Sequence, residues 1–112
     1  EASSHEKFKD MVIASAEGDT QLTLKQVTPV RMLKNNFFTQ VQQAEQQGAT
    51  ADELKTILGR GRAKKGMFEG DMEQGELEIG QVSALINKIK PAAEIVKEIW
   101  TEFETALKQP LK

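Results

Sequence analysis

Gly66-Met67-Phe68-Glu69-Gly70-Asp71-Met72-Glu73-Gln74-Gly75-Glu76-Leu77-Glu78-Ile79-Gly80-Gln81 is the stretch on which the reading of the chain turns. Glycine recurs at 66, 70, 75 and 80, acidic residues fill the gaps, and helical patterns lie on both sides. A glycine costs a helix about 1 kcal/mol against alanine and packs nothing in a strand. The spacing therefore predicts a loop rather than a regular element, and one that makes several unusual backbone turns. Loops of this length inside compact domains are either solvated connectors or binding loops and lids. The residues by themselves leave both readings open.

Immediately upstream, Arg60, Arg62, Lys64 and Lys65 form a basic run. Glycines here let backbone N–H groups and arginines approach an anion. Gly59-Arg60-Gly61-Arg62 is nevertheless neither a Walker loop nor a dinucleotide fingerprint, and no strand leads into it. The run reads better as a solvated or ion-paired surface, with Glu69, Asp71, Glu73, Glu76 and Glu78 available to neutralise it. Those acids do not make a calcium loop: Gly75 lies one residue too late relative to Glu69, and no D-x-D-x-D start exists. Nothing selects two of them as a hydrolytic carboxylate pair.

Further upstream the pattern is helical. Ser3 and Glu6 have capping-box spacing, and Phe8, Met11, Val12 and Ala16 then share a face up to Glu17-Gly18-Asp19, which stops the helix. Thr20 to Lys25 alternates weakly, as a short strand or extended segment. Pro29 ends it, and Val30, Met32 and Leu33 are expected to start another short helix. Asn35 or Asn36 caps the next helix, whose Phe37, Val41 and Ala44 share a face opposite the glutamines, and Gly48 terminates it. Thr50 and Glu53 form a second capping box ahead of the Leu54, Ile57 and Leu58 stripe. Gly59 and Gly61 then predict a strained helix end or a close approach of another backbone.

Downstream, Ile79, Val82, Leu85, Ile86 and Ile89 recur at helical spacing. Pro91 suits the first turn of a last helix, in which Ala92, Ile95, Val96, Ile99, Trp100, Phe103 and Leu107 form a wide apolar face through to Pro110. That helix needs something to pack against, with Trp100 as its largest anchor. The reading is a mainly α chain of roughly five helices and one poor strand.

Composition bounds the function. The 112 residues, 38% hydrophobic, 5% aromatic and 29% charged, make one small and rather polar domain. Opening at Glu1 without an initiator methionine fits a processed, excised or cleaved piece. No signal-peptide core or apolar run of membrane length is present. The absence of cysteine removes disulfides, zinc–thiolate clusters and thiol nucleophiles, and is compatible with a cytoplasmic setting. A net charge of −2 argues against a broad nucleic-acid surface. His5, the only histidine, is placed in the first turn of the first helix as an exposed residue. No Cys/His or Ser/His pairing offers a nucleophile, and no metal site is expected.

Gly61-Arg62-Ala63-Lys64-Lys65-Gly66-Met67-Phe68-Glu69-Gly70-Asp71, followed by Glu73, Gly75 and Ile79-Gly80-Gln81-Val82, resembles the C-terminal part of one flavoenzyme family. That family contains the FMN-dependent class II enoyl-acyl-carrier-protein reductases and the nitronate monooxygenases, formerly called 2-nitropropane dioxygenases. Glu1-Ala2-Ser3-Ser4-His5, Glu17-Gly18-Asp19-Thr20, Pro29-Val30-Arg31, Lys34-Asn35 and Ile89-Lys90-Pro91-Ala92 match in the same order, so the resemblance spans essentially the whole chain.

The resemblance implies the C-terminal helical part of a (β/α)8 TIM barrel that binds FMN at the C-terminal ends of its strands. It implies a last barrel-flanking helix and extended segment at 1–34, a helical insertion at 35–65, the glycine-rich loop at 66–81 and C-terminal helices at 82–112. The family's catalytic histidine is implied to lie upstream, and His5 does not match it, so no residue here is catalytic. The loop is implied to fold over the barrel mouth and wall the flavin or substrate pocket through Met67, Glu69, Gly70, Asp71, Gly80 and Gln81. Arg31 matches a family arginine and is expected in a structural ion pair. The implied activity is FMN- and NAD(P)H-dependent reduction of an enoyl thioester on an acyl carrier protein, in fatty-acid synthesis; nitronate oxidation is the alternative. The implied partners are the upstream barrel portion of the same protein and an acyl-carrier-bound or small-molecule substrate, with a homodimer allowed and neither nucleic acid nor membrane. A non-catalytic helical interaction module is the reading from another class.

Overall fold

The computed structural model describes residues 2–109; the proposed Pro110 boundary and the match at Glu1 lie outside them. The elements run α1 (Glu6–Ala14), β1 (Thr20–Thr23), β2 (Val30–Leu33), α2 (Asn36–Gln46), α3 (Ala51–Leu58) and α4 (Ala92–Leu107). Between α3 and α4 lie a π-helical turn at Lys64–Phe68 and a 3-10 stretch at Gln81–Leu85.

The cap of α1 is His5, not Ser3. The His5 Nδ1 accepts from the Lys7 N–H at 3.1 Å, leaving the anticipated Ser3–Glu6 box unused. The helix ends at Ala14, earlier than Gly18, whose φ of 90° serves the turn into β1 instead. Val30 to Leu33, expected as a helix, is β2, paired antiparallel with β1 from Thr20↔Leu33 to Thr23↔Val30. An isolated V-R-M-L quartet satisfies either period, and the neighbouring strand decides it. The connection holds Leu24 in a left-handed conformation (φ 55°), a cost for a non-glycine residue that is met by its near-complete burial and by the Val27 N–H donating to its carbonyl at 3.0 Å.

β2 is the wall between two cores, because successive strand residues point to opposite faces. Met32 joins Leu24, Phe37, Phe38, Val41, Ala49 and Leu54 on one side. Leu33 joins Phe8, Val12 and Leu77 on the other. The caps of α2 and α3 are as the sequence predicts: Asn35 Oδ1 accepts from the Phe38 N–H at 2.9 Å, and Thr50 Oγ1 from the Glu53 N–H at 3.2 Å. Gly48, past the end of α2, has φ 81°.

The last quarter differs. Val82, Leu85, Ile86 and Ile89 do not build a helix; only the short 3-10 stretch forms, and all four are exposed. α4 does form, with Pro91 preceding its first turn, but it buries none of its residues within the described chain. Val96 and Leu107 are each 68% exposed and Trp100 is 60% exposed. The radius of gyration is 17.2 Å, against about 13 Å for a compact chain of roughly this length. The 3-10 stretch lies against α1 with Ser83 buried, and α4 extends from it as an arm on a folded body. No helix among the described residues is long and apolar enough to cross a membrane.

Candidate functional site: the glycine loop

Sequence reasoning treats residues 66–81 as irregular, yet the loop begins inside the π-helical turn and ends in an extended segment bridged to β2. Leu33 N–H donates to the Leu77 carbonyl at 2.8 Å, Ile79 N–H donates to the Arg31 carbonyl at 3.2 Å, and Met32 pairs antiparallel with Glu78. The alternation Glu76-Leu77-Glu78-Ile79 carried that signal. Leu77, wholly buried, is the loop's anchor in the second core.

The glycines have separate reasons. Gly66 and Gly75 are two backbones in contact: a Cβ on Gly75 would lie 2.1 Å from the Gly66 Cα, and one on Gly66 would lie 2.6 Å from Leu77 Cδ2. The anticipated close backbone approach occurs here and not at Gly59 or Gly61, where an added Cβ would meet nothing within 4 Å. Those two instead take positive φ to turn the chain after α3, which ends at Leu58 without a strained continuation. Gly70 combines φ 86° with a ring against it; its Cβ would lie 2.7 Å from the His5 imidazole. His5 is accordingly half-buried rather than exposed, and its N–H donates to the Met67 carbonyl at 2.6 Å. The first residues of α1 and the loop are one unit.

Arg62 is the staple that sequence reasoning missed. Its Nε donates to the Leu58 carbonyl at 3.0 Å, its Nη2 to Ile57 at 2.7 Å and its Nη1 to Gln74 at 3.0 Å. The guanidinium carbon also sits 4.6 Å above the Phe37 ring centroid. One planar cation thus closes the C-terminus of α3, holds the loop and covers the core. It is not part of a solvated or anion-binding run. Asn35 adds a second clamp, its Nδ2 donating to the Met72 and Gly75 carbonyls at 2.9 and 2.8 Å. Arg31, expected in an ion pair, instead donates to the Thr20 carbonyl and hydroxyl at 3.3 and 3.2 Å.

The six proposed site residues therefore divide. Met67 packs on the second core, Gly70 makes room for His5, and Asp71 ties the turn. The Asp71 carboxylate accepts from Gln74 and Glu73 N–H at 2.9 and 3.1 Å and lies 3.6 Å from Lys65 Nζ. The Gln74 N–H, followed by that of Glu73 and by the Lys65 charge, holds its carboxyl below the usual range. Glu69, Gly80 and Gln81 are exposed. A Cβ on Gly80 would meet nothing within 4 Å.

Glu76 was not among the six. It is 7% exposed. Burial first, then the hydrogen bond and charge of Glu78, push its carboxyl up to about 7, while Arg62 pulls the other way. Among the described residues, no cluster of three or more His, Cys, Asp or Glu side chains could hold a metal ion.

These features define a helical segment built around a glycine loop bridged to β2, with an exposed apolar helix at its end. The nitronate monooxygenase family model matches residues 1–102, and the chain belongs to that family. It is similar to the solved structure of FabK from Thermotoga maritima, a class II enoyl-acyl-carrier-protein reductase with a TIM barrel, at 27% identity and a TM-score of 0.83. A methionine-to-alanine variant of the same FabK matches at 26% identity and a TM-score of 0.73. The first match covers 94% of this chain and 33% of FabK, in its C-terminal portion, so the chain spans about a third of that protein. No curated relative matches.

Proposed function

We propose that this chain is the C-terminal part of an FMN-dependent oxidoreductase that reduces an enoyl thioester on an acyl carrier protein with NAD(P)H. The observation that carries the reading is the FabK likeness, which runs through the hairpin, the glycine loop and the helices over 94% of the chain. Nitronate oxidation is the second reading, favoured by the description of the matching family model. A cytoplasmic setting belongs to the same proposal.

The residues present do not by themselves make a flavin site. The room at Gly66 and Gly75 is filled by each other's backbones and by Leu77, and that at Gly70 by His5. Arg62 is committed to three carbonyls, and Lys65 lies beside Asp71. The reading therefore assigns the cofactor's main contacts, and the catalytic histidine, to the part of the protein upstream of this chain. The bare face of α4 is the surface on which that part of the same chain packs, which argues against a free-standing interaction module. From this chain, Glu69, Gly80 and Gln81 are the loop residues open to a flavin or substrate, while Met67, Gly70 and Asp71 fix the loop that presents them.

The test uses the intact protein. Flavin bands in its visible spectrum, with NADH or NADPH consumption driven by a crotonyl thioester, are expected. Oxygen uptake driven by a nitronate, without thioester turnover, would transfer the assignment to the second reading. A colourless protein inactive in both assays would overturn it. Gly80→Ala is the clean probe of the loop, because φ is −80° and the added methyl group meets nothing. It is expected to keep the fold and lower kcat/KM several-fold; unchanged kinetics would remove the loop from the pocket.

A further inference from the structure

His5 touches the glycine loop at two points. Its backbone N–H donates to the Met67 carbonyl at 2.6 Å, and its imidazole lies against Gly70, where an added Cβ would come 2.7 Å from both Cε1 and Nδ1. The carbonyls just before Met67 are used inside the π-helical turn. Lys64 accepts from the Glu69 N–H at 3.0 Å, Lys65 from the Asp71 N–H at 3.0 Å and Gly66 from the Gly70 N–H at 3.1 Å. Met67 instead gives its carbonyl to His5. Between the two contacts lie Phe68, 53% exposed, and Glu69, also exposed. The turn is gripped at both ends, and its outward-facing pair sits in the middle.

Histidine is not a favoured helix cap; Ser, Thr, Asp and Asn are. An asparagine at this position could accept from the Lys7 N–H, as His5 Nδ1 does at 3.1 Å, but it could not lay a flat ring on Gly70. Gly70 meets that ring with a φ of 86° and no Cβ in the way. The cap also fixes the state of the ring. Because Nδ1 accepts from a backbone N–H, it carries the lone pair, and the hydrogen sits on Nε2. An imidazolium donates from both nitrogens and could not make this bond. The charged groups on the two elements that meet at His5 are Glu6, Lys7, Lys9 and Asp10 of α1 and Lys65, Glu69 and Asp71 of the loop. Glu6 lies 3.4 Å from Lys9 and Asp71 3.6 Å from Lys65, while Lys7, Asp10 and Glu69 are exposed. Among the described residues, none of them forms an ion pair with the imidazole.

We propose that neutral His5 is a positioning residue for the reaction of the intact protein, holding the turn from Met67 to Gly70 so that Phe68 and Glu69 are presented to the flavin or substrate, a role that rests on the reading of the glycine loop as a wall of that pocket. His5 itself does not touch the reacting atoms. Its place is set by α1, whose Phe8 and Val12 are anchored in the second core. The outer turn of the loop therefore takes its position from the folded body rather than from its own glycines.

The test compares the intact protein with His5→Asn, which keeps a capping acceptor and removes the ring, with rates counted per bound flavin so that unfolded protein does not enter. A ring that only fills space would alter the folded fraction and leave KM of the flavin-loaded protein unchanged. A positioning ring is expected to raise KM several-fold, for the thioester or the nitronate, whichever is turned over, with a smaller change in kcat. The native-to-Asn ratio of kcat/KM is expected to fall toward one between about pH 8 and about pH 5, where an imidazole takes up its proton. Groups common to both proteins cancel in that ratio, and an asparagine cap does not titrate. An unchanged KM, or a ratio that is flat with pH, would overturn the proposal. If His5→Asn does not fold, His5→Phe, which keeps a ring and loses the acceptor, is read by the same ratio, and a flat profile overturns the proposal again. Gly80→Ala separates the two claims. Lowered kcat/KM in Gly80→Ala with unchanged kinetics in His5→Asn would reject the positioning role alone, whereas unchanged kinetics in both would reject the loop as a wall of the pocket.

Discussion

The body of the chain, from α1 through the 76–79 segment, and its arm, α4, have similarly apolar sequences and opposite fates. In the body every apolar stripe finds a partner within the chain: Phe37, Val41 and Leu54 meet across α2 and α3, and Phe8 and Val12 meet Leu33 and Leu77. In the arm, Val96, Ile99, Trp100, Phe103 and Leu107 all stay exposed, with Trp100 and Phe103 forming a tilted pair whose ring centroids are 5.4 Å apart. Periodicity thus specifies that a helix has an apolar face, but not whether the covering surface lies in the same stretch of sequence. Among the described residues, nothing covers the apolar face of α4.

That contrast makes unequal demands on single substitutions. Phe37→Ala removes a fully buried ring beneath Arg62 and should destabilise the body by about 3–5 kcal/mol in urea unfolding. A loss below about 1 kcal/mol would mean the core is not organised around it. Gly75→Ala comes next: a methyl group 2.1 Å from the Gly66 Cα forces the loop and the π-helical turn apart. About 3 kcal/mol is expected, and chemical-shift changes should extend from Leu77 to Met67. Trp100→Ala is the smallest. In the 112-residue chain it should change stability by less than about 0.5 kcal/mol, although tryptophan is the largest apolar side chain present. In the intact protein the same substitution should cost about 3 kcal/mol, and equal effects in the two settings would erase the distinction between body and arm.

Local chemistry was legible in the sequence; contacts between distant residues were not. Asn35 and Thr50 were readable as caps because capping needs only the next three residues. α4 was readable because its pattern persists over four turns. β2 was misread because four residues carry too little periodicity to distinguish a strand from a helix, and the deciding partner, β1, had itself been read as only weakly extended. The 82–89 stretch was overread for the converse reason: its spacing suits a helix, but an apolar face with nothing to bury against contributes little to forming one. The glycine loop was recognised as special without its cause being visible. That Gly66 faces Gly75, that Gly70 faces His5, and that Arg62 spans from Ile57 to Gln74 are facts of tertiary geometry, and no local pattern encodes them. Glu76 was hidden among five acids by the same blindness, since only burial sets it apart.

Native-state hydrogen exchange along the 112-residue chain tests the account most directly. The body amides of α2 and β2, Val41 and Leu33 among them, should be protected to nearly the global unfolding free energy. Those of α4 should exchange close to the rate of an unstructured peptide, because an isolated helix of this length is marginal in water. Protection of the Ile99 and Phe103 amides equal to that of Val41 would contradict the account, since α4 would then be packed rather than bare.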